Sequence, residues 1–402
     1  MGIKSTLYKY SPQLLKNIWR FLRVSYLKVT GPKYTIIKNP NDIFDIVYKV
    51  KDATWEESYY PECYGHCKEQ HLSIYSSEEY IFKIPNAVIS NESDVVITSK
   101  GVYWDKYNDD EFVTWAVPAD INVVWYDNNS IIVKKNKKQE FISGQVLSML
   151  GVWAYHWGHC MYQFLPKLFT AGEAGLLNNH IKVLIPNTED ETIIEIMKSY
   201  LVNFPKVEIV LAYDGIDYTC ENLYFMPSSG SNFNNPLFRL DYPYYISRHV
   251  LDKIKIYVIY PIIERIKDNK PQYEKIYLSR RGKRTATNID EIDAFFKQEG
   301  FVEIEGSKLT LEQKADIFYH AKEIVGMYGS GFINLMFCNQ AKSLVLTNYR
   351  MSTDTSIYIQ IRDYVSELIN ITGQDETSEY HTNTYYPIYK VVKAYNERIK
   401  MK

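Results

Sequence analysis

The 402-residue sequence has no long uninterrupted apolar run, few cysteines and almost no net charge. No stretch approaches the roughly 20 apolar residues that span a bilayer, so we expect no transmembrane helix. The five cysteines are an odd number without the spacing of a small disulfide framework, which predicts a reducing, cytoplasmic location. With a net charge of -2 and neither a nucleic-acid module nor an interior basic stripe, we predict no nucleic-acid partner.

The composition is that of a folded, globular protein. Hydrophobic residues make up 46% and charged residues 23% of the chain, which is long enough for two ordinary domains with their own cores. The sequence contains no internal repeat and no low-complexity tract, so neither a repeat architecture nor long disordered regions are expected.

The first 40 residues form a basic segment. From Met1 to Asn41 there are eight Lys or Arg residues and no Asp or Glu. Apolar side chains recur at helical spacing and face away from the charges: Leu14, Leu15, Ile18, Trp19 and Leu22. Two alternatives stay open, a helix lying on an anionic membrane surface at the inner face of the membrane and a basic helix packed on its own protein.

The stretch "CYGHC" places His66 between Cys63 and Cys67. Two cysteines and a histidine could ligate a metal ion, but no second ligand pair follows at a useful spacing. We therefore interpret this stretch as a local loop and predict no metal site.

The pattern of apolar residues changes twice along the rest of the chain. Short apolar runs joined by turns predict a β-rich part, and from Gly144 helix-like and strand-like runs alternate, restarting after the polar linker "KDNKPQYE". We predict an α/β protein with these regions: a basic N-terminal segment (1–40), a first domain (41–245) with a β-rich part (79–138) and an α/β part (144–230), a second domain (246–375) and a helical tail (376–402).

Two consecutive runs of βα units predict two parallel, doubly wound sheets, whose ligands bind at the carboxyl ends of the strands. In the first run, residues 144–165 are expected to be helical, and a long amphipathic helix over 245–266 should bend or break near Pro261. In the second run, Thr310 should cap a helix, and residues 355–368 should form the last helix.

The stretch "GMYGSGFINLMF" (326–337) places three glycines and Asn334 where an apolar strand gives way to an apolar helix. Glycine lets a ligand approach the backbone closely, and a helix that starts there points N–H groups outward. Such a corner suits a phosphate group. The alternative is a glycine turn that serves packing alone.

The stretch "YLSRRGKRTATN" (277–288) places Ser279 and three arginines just beyond a predicted strand, at the sheet edge that the glycine corner also reaches. The guanidinium groups of Arg280 and Arg284 would form a clamp for a diphosphate beside a helix amino terminus. The alternative is a solvated basic turn, which we favour for Arg281.

Three stretches in this order resemble the family 61 glycosyltransferases, the DUF563 group of capsular-polysaccharide proteins and eukaryotic xylosyl- and N-acetylglucosaminyltransferases. They are "YHWGHCMYQFLPKL", "YLSRRGKRTATN" and "LTLEQKADIFYHAKEIVGMYGSGFINLMF", and the resemblance covers roughly Gly144 to Asn348. It implies a GT-B arrangement of two facing Rossmann-like domains, with the acceptor on the first domain and the donor on the second. It also implies inverting, metal-independent transfer from a UDP-linked sugar to a glycan or polysaccharide acceptor.

The sequence departs from the family at the glycine corner. Members usually read like "HGAGLTN", whereas here Tyr328 stands for the histidine and Ser330 for the alanine. Both residues can still form hydrogen bonds, so we expect donor binding to survive the change better than donor identity. The predicted donor-binding residues are Ser279, Arg280, Arg284, Asn288, Tyr328, Gly329, Ser330, Gly331 and Asn334.

The sequence contains no D-x-D triplet, the carboxylate pattern that carries a divalent cation in the other large transferase fold. The charge of the diphosphate would then be met by Arg280, Arg284 and backbone dipoles, so we predict no metal and no cofactor besides the co-substrate. Inverting transfer also needs a base for the acceptor hydroxyl, and we predict His156 for that role. His159 is a second candidate, and a core role for either histidine stays open.

Two other classes of function share features with this sequence. A nicotinamide-dependent dehydrogenase is disfavoured because the glycines read G-x-x-G-x-G late in the chain and the next strand ends in Asn348, where an acid should bind the ribose. A non-catalytic protein that binds a glycan or a nucleotide sugar on a transferase fold remains the alternative.

Overall fold

The computed structural model of the chain describes residues 22, 25–26, 29–60, 62–104, 120, 122–227, 246–347, 361–374 and 383–401. Most of the predicted basic helix, including Leu14, Leu15, Ile18 and Trp19, lies outside these residues, and Leu22 is exposed. None of the described helices is long and apolar enough to cross a membrane.

The described residues form strands along most of the chain. They are β1 (Lys33–Thr35), β2 (Asp45–Lys51), β3 (Thr54–Tyr60), β4 (Gln70–Ser76), β5 (Glu79–Ser90), β6 (Val95–Thr98), β7 (Gly101–Trp104), β8 (Val123–Tyr126), β9 (Ser130–Val133), β10 (Lys138–Ser148), β11 (Ile181–Pro186), β12 (Val207–Ala212), β13 (Ile216–Phe225), β14 (Lys275–Leu278), β15 (Val302–Glu303), β16 (Glu323–Met327), β17 (Ala341–Thr347) and β18 (Val365–Thr372).

Helices fill the connections between the later strands. The α-helices are α1 (Trp157–His159), α2 (Leu165–Glu173), α3 (Glu191–Leu201), α4 (Arg248–Ile254), α5 (Tyr260–Ile266), α6 (Ile289–Gln298), α7 (Leu311–His320) and α8 (Ile388–Ala394). The π-helical segments are Cys160–Phe164, Lys255–Ile259 and Tyr395–Ile399, and the 3-10 helices are Pro40–Asp42, Leu176–Asn178, Gly306–Lys308, Ser330–Phe337 and Arg362–Tyr364.

The first large sheet is mixed, which corrects the prediction of two parallel sheets. Its order is β12-β11-β10-β13-β5-β6-β7, with β2 beside β5. The strands β10 to β13 pair in parallel, but β5 joins β13 in the antiparallel sense. The predicted β-rich part therefore supplies strands to the same sheet as the α/β part, because strand pairing is long-range and leaves no mark on local periodicity. Two smaller antiparallel sheets, β1-β9-β8 and β3-β4, complete this half.

The helix expected over 144–165 is wrong in its first part. Residues up to Ser148 belong to β10, which lies between β11 and β13 and buries Val146 and Leu147. A short apolar run of this kind fits a buried strand as well as a helix turn, so periodicity cannot separate them. Helical structure begins at Trp157, passes through a π-helical segment and continues beyond Pro166, which lies in the first turn of α2.

A bend or break is predicted near Pro261, and the helix instead continues from α4 to α5 through a π-helical segment, Lys255–Ile259. Proline has no N–H to donate and its ring crowds the preceding turn, so a wider turn before it keeps the helix continuous. The predicted cap at Thr310 is confirmed. Its hydroxyl accepts from the N–H of Gln313, and the Gln313 side chain accepts from the N–H of Thr310.

The second large sheet is parallel, with the order β15-β14-β16-β17-β18. Both faces are buried, as its β-branched strands require. On one face Ile276 and Ile324 join a core that also contains Leu147 and Val183 of the first sheet, whereas Tyr277 and Val325 face α6 and α8. One hydrophobic core therefore connects the two large sheets.

Among the described residues, the helix predicted over 355–368 is wrong only in its last part, from Val365, because Ile361 is helical and a 3-10 turn follows it. Arg362–Tyr364 is a single 3-10 turn, and Val365 begins β18, the edge strand of the parallel sheet. Residues 355–360 lie outside the described part of the chain. The sequence "YVSELINIT" alternates in a way that serves a strand once a sheet edge is available to pair with it.

A hairpin arm, residues 54–76 with strands β3 and β4, reaches from the first half of the chain to the second sheet. The N–H of Tyr64 donates to the carbonyl of Asn370 at 2.8 Å, and the N–H of Asn370 donates to the carbonyl of Glu62 at 3.0 Å. Glu62 also accepts two hydrogen bonds from Arg398, and Glu69 accepts two from Arg362. The arm thus covers the exposed edge of β18 and ties the two sheets together.

Candidate functional site

The parallel sheet has one point where its chain order reverses direction. Numbered along the chain from β14, the order is 2-1-3-4-5, so the reversal lies between the adjacent strands β14 and β16. Ligands of such sheets bind outside the carboxyl ends of the strands at this point. Arg280 follows the end of β14 and Gly329 follows the end of β16, so both predicted stretches reach this position.

Arg280 and Gly329 lie against each other there. Gly329 has extended backbone that any residue can adopt, but a Cβ atom on it would lie 2.3 Å from an Nη atom of Arg280. The absence of a side chain at Gly329 therefore makes room for the guanidinium group. The Nε of Arg280 donates to the carbonyl of Lys283 at 2.8 Å, and the hydroxyl of Thr285 donates to the carbonyl of Arg280 at 2.6 Å.

The other two glycines of the corner, Gly326 and Gly331, differ in whether the fold has room for a side chain at their positions. A Cβ atom on Gly326 would lie 2.3 Å from the carbonyl oxygen of Leu278, so close pairing of β14 with β16 requires glycine. Gly331 is exposed, has no left-handed backbone, and a Cβ atom on it would meet nothing within 4 Å. Neither packing nor backbone conformation explains glycine at position 331.

The segment predicted to be a helix after the corner is the 3-10 helix Ser330–Phe337. Its Asn334 is 4% exposed and donates from Nδ2 to the carbonyl of Gly331 at 3.0 Å. The Oδ1 of Asn334 makes no hydrogen bond to any of the described residues. A buried amide oxygen without a partner is destabilising, and functional sites are where such groups are found.

Arg284 lies in the turn after Arg280 and is partly buried. Its φ of +60° is in the left-handed region, which a residue with a side chain adopts at a cost. Strained residues of this kind concentrate at functional sites.

The remaining predicted residues of the arginine stretch have protein partners. Ser279 donates its hydroxyl to Glu303, and Arg281 binds Asp293 at 2.6 Å. Asn288 accepts from the N–H of Tyr386 at 3.1 Å and donates to its carbonyl at 2.8 Å, which holds the start of α6 against the C-terminal segment. A donor-binding role for Ser279 and Asn288 stays a prediction.

His156 directly precedes α1 on the first half of the chain. Its side chain is exposed and packs on the ring of Tyr155 at 4.3 Å between centroids. Enough protein still surrounds the imidazole to lower the pKa of His156 by desolvation. The imidazole makes no hydrogen bond to a residue in the described part of the chain, whereas the hydroxyl of Tyr155 bonds with Glu92. A neutral, accessible imidazole is suited to accept a proton.

The turn after His156 packs against the glycine corner. A Cβ atom on Gly158 would lie 2.7 Å from Cδ1 of Ile333 and 3.9 Å from Cβ of Ser330. The structure therefore brings the predicted base region and the predicted phosphate corner into contact, although they are more than 170 residues apart in sequence.

The side chain of His159, the second candidate base, is held by neighbouring side chains. Its Nδ1 lies 3.0 Å from Oε1 of the buried Gln163, and its ring lies 4.7 Å from that of Trp153. These contacts fix the orientation of the imidazole.

Sequence reasoning missed Lys314, a buried lysine that lies beside Trp157, the residue after His156. It is 7% exposed, lies on α7, and reaches to 3.3 Å from the hydroxyl of Thr192 on α3 and 5.3 Å from the ring centroid of Trp157. Burial lowers the pKa of Lys314. In the sequence, "LEQKADIF" resembles a helix with a solvent-exposed polar face, and Lys314 would belong to that face. No local pattern therefore indicates that this lysine is buried.

A second missed feature is the buried carboxylate pair of Asp94 and Asp120. Asp94 accepts from the N–H of Val152 at 3.2 Å, in the loop that leads to His156. Asp120 accepts from the N–H groups of Asp94 and Asn122, both at 3.0 Å. Burial, and then the charge of Asp94, raise the pKa of Asp120 to about 7. Trp153 in the same loop has a φ of +65°, so the base region is both strained and anchored.

Metal ligation has no candidate in the part of the chain that the structure describes. No group of three or more His, Cys, Asp or Glu side chains there is arranged to hold a metal ion. The "CYGHC" stretch forms a tight turn of the arm, in which Cys63 and Cys67 are in the thiol form.

This arrangement defines an α/β protein with a candidate ligand site at the switch point of its parallel sheet, beside the turn that follows His156 in the first half of the chain. Residues 157–345 match the family model described as Glycosyltransferase 61. This match supports the predicted resemblance to glycosyltransferase family 61 over that region, and the family's description gives glycosyl transfer as its general activity. The matched region includes the arginine stretch and the glycine corner and begins one residue after His156. No curated protein matches the sequence.

Proposed function

We propose that the protein is an inverting, metal-independent glycosyltransferase of GT-B arrangement that moves a sugar from a UDP-linked donor to a glycan or polysaccharide acceptor. The observation that carries the proposal is the guanidinium group of Arg280 against Gly329 at the switch point of the parallel sheet. Gly329 itself is buried, but the next residues, Ser330 and Gly331, are exposed. A planar cation beside this exposed backbone suits a diphosphate, and Arg284 in the same turn adds a second positive charge.

In the proposed reaction, the acceptor hydroxyl oxygen attacks the anomeric carbon from the face opposite the diphosphate. The new C–O bond forms as the bond between that carbon and the phosphate oxygen breaks, and the diphosphate leaves with the electron pair. Arg280 and Arg284 stabilise the charge that develops on the leaving group. The acceptor proton passes to the imidazole of His156, and the configuration at the anomeric carbon is inverted.

We propose that the two halves of the chain bind different substrates. Residues 246–375 would hold the donor, and residues 41–245 would present the acceptor beside His156. The contact of Gly158 with Ile333 and Ser330 supports this division because it places the loop of His156 next to the corner proposed to bind the phosphates.

Replacing Arg280 with alanine should weaken binding of the nucleotide-sugar donor by roughly ten- to 150-fold, which corresponds to about 1.5 to 3 kcal/mol for a charged hydrogen bond. The measurement is calorimetric titration with UDP-sugars in buffer containing a chelator, so that the affinity is that of the metal-free protein.

Arg281→Ala is the matched control, because this neighbouring arginine binds Asp293. We expect its donor affinity to stay within about twofold of the wild type, since its guanidinium serves the protein surface. Equal affinity of the Arg280→Ala variant and the wild type would contradict the assignment, and so would donor binding that depends on added manganese. Tight donor binding without sugar transfer to any glycan would support the non-catalytic alternative.

We further propose that the basic N-terminal segment holds the enzyme at the cytoplasmic face of a membrane. Replacing Lys16, Arg20 and Arg23 with glutamine should weaken binding to anionic vesicles by roughly 100-fold, because each basic residue near such a surface contributes about 1 kcal/mol. Co-sedimentation with anionic and with neutral vesicles, at low and high salt, measures the effect. Binding that is insensitive to salt and to the triple substitution would refute this attachment.

A further inference from the structure

The turn that closes the hairpin arm places two cysteines directly opposite each other. The N–H of Cys63 donates to the carbonyl of Cys67 at 2.9 Å, and the N–H of Cys67 donates to the carbonyl of Cys63 at 3.1 Å. The two residues thus form an antiparallel bridge, with the chain reversed through Gly65 at a φ of +70°.

This backbone geometry matches that of a disulfide. Residues that exchange both hydrogen bonds in an antiparallel pair have Cα atoms about 5.5 Å apart, and disulfides span about 4.4 to 6.8 Å between Cα atoms. Side chains of directly opposed residues also project to the same face. The Cβ atoms of a hydrogen-bonded pair lie about 5.5 Å apart and those of a disulfide about 3.5 to 4.5 Å, so oxidation requires the two cysteines to move roughly 1 to 2 Å closer at the turn.

We propose that Cys63 and Cys67 form a reversible dithiol–disulfide pair, oxidised by exchange with a low-molecular-weight disulfide such as glutathione disulfide. This site is independent of glycosyl transfer. Cys67 is partly exposed and attacks first, forming a mixed disulfide and releasing one glutathione thiolate. Cys63, 2% exposed, then loses its thiol proton and attacks the sulfur of Cys67, which releases the second glutathione. Two protein thiols and one glutathione disulfide thus give one protein disulfide and two glutathione molecules.

The other three cysteines are unsuited to this exchange. Cys160, Cys220 and Cys338 are buried, and burial raises the pKa of each thiol, to about 12 for Cys220. A thiol with so high a pKa presents almost no thiolate, which is the form that reacts. Oxidation should therefore be confined to the arm.

The location of the pair gives the oxidation a structural consequence. Tyr64, between the two cysteines, bonds to Asn370 at the edge of β18, and the adjacent Glu62 binds Arg398. A disulfide across the turn would hold these groups in the conformation that pairs with the second sheet.

The test is to equilibrate the full-length protein with glutathione disulfide, unfold it in the presence of an alkylating agent, and locate the modified cysteines by mass spectrometry. In the wild type we expect two of the five thiols to be lost, both in the arm, with no retained glutathione and full recovery after reduction. Cys63→Ser should retain one glutathione on Cys67, because no resolving thiol remains. Cys67→Ser should retain its four thiols and acquire no glutathione.

Three results would overturn the proposal. They are five alkylated cysteines in the oxidised wild type, a stable glutathione on Cys67 beside a free Cys63, and a disulfide that links any other pair. Far-ultraviolet circular dichroism of each variant before oxidation checks that it is folded, and Cys220→Ser, which leaves the arm unchanged, should behave as the wild type does in the arm.

Discussion

Replacing His156 with glutamine should lower kcat by about two to four orders of magnitude, the range that general-base catalysis contributes. Glutamine keeps much of the size and hydrogen-bonding capacity of the side chain but cannot take a proton. Because the imidazole of His156 is exposed and bonds to none of the described residues, the fold should tolerate the change. The donor affinity should stay within a few-fold of the wild type.

The pH profile gives this prediction a second readout. His156 acts as a base only when it is neutral, and burial lowers its pKa from the ordinary 6.5. Activity should therefore persist as the pH falls through 6.5 and be lost only below it, and the glutamine variant should lack this acidic limb. Steady-state transfer assays over pH 5 to 8 provide both measurements. The control is His159→Gln, and the assignment is wrong if that variant loses the activity while His156→Gln keeps it.

Replacing Gly331 with valine should abolish binding of the nucleotide-sugar donor while the protein melts within a few degrees of the wild type. The added side chain would enter open space in the protein, so it costs little stability, but it would occupy the surface where the donor phosphates must approach the backbone. Thermal shift with and without a saturating nucleotide sugar measures both effects, since a ligand at 100 times its dissociation constant stabilises by about 2.7 kcal/mol.

Two further variants serve as comparisons for Gly331→Val. Gly326→Val should lose the folded state itself, because its side chain would meet the backbone of β14 at Leu278. Asn334→Ala should reduce the nucleotide-induced shift without removing it, since it takes away hydrogen bonds and adds no bulk. A Gly331→Val variant that folds and shows the wild-type shift would mean that the corner serves packing alone.

The sequence predicts the second half of the fold better than the first. In the parallel sheet, the run around Ile324 lies between a capped helix and a glycine turn, and such local signals fix both the strand and its neighbours. Val146 and Leu147 have no comparable boundary signals, so the sequence pattern predicts a helix where the structure has a strand. The partners of β5 are set by contacts across more than 100 residues, which no window of sequence contains.

The sequence likewise predicts some residues of the candidate site and not others. Residue type and position after a strand select the arginine stretch and favour Arg280 over its neighbour Arg281 as the ligand-binding residue, but they show no contact that distinguishes these two arginines. The structure separates them because Asp293 binds Arg281 while Gly329 leaves room for Arg280. Asp94, Asp120 and Lys314 were missed because their burial results from elements that are distant in sequence.

The hairpin arm also determines when the protein can finish folding. Glu62 is synthesised 336 residues before its partner Arg398. At a translation rate of about 5 to 20 residues per second, the ribosome needs roughly 20 to 70 seconds to bridge that interval. During most of this time the strands of the arm have emerged, but β18, whose edge they cover, has not yet been made. A chain that stops before Arg398 would contain the strands of both large sheets but would leave Glu62 without this arginine, so the arm can complete its contacts only after Arg398 has been made.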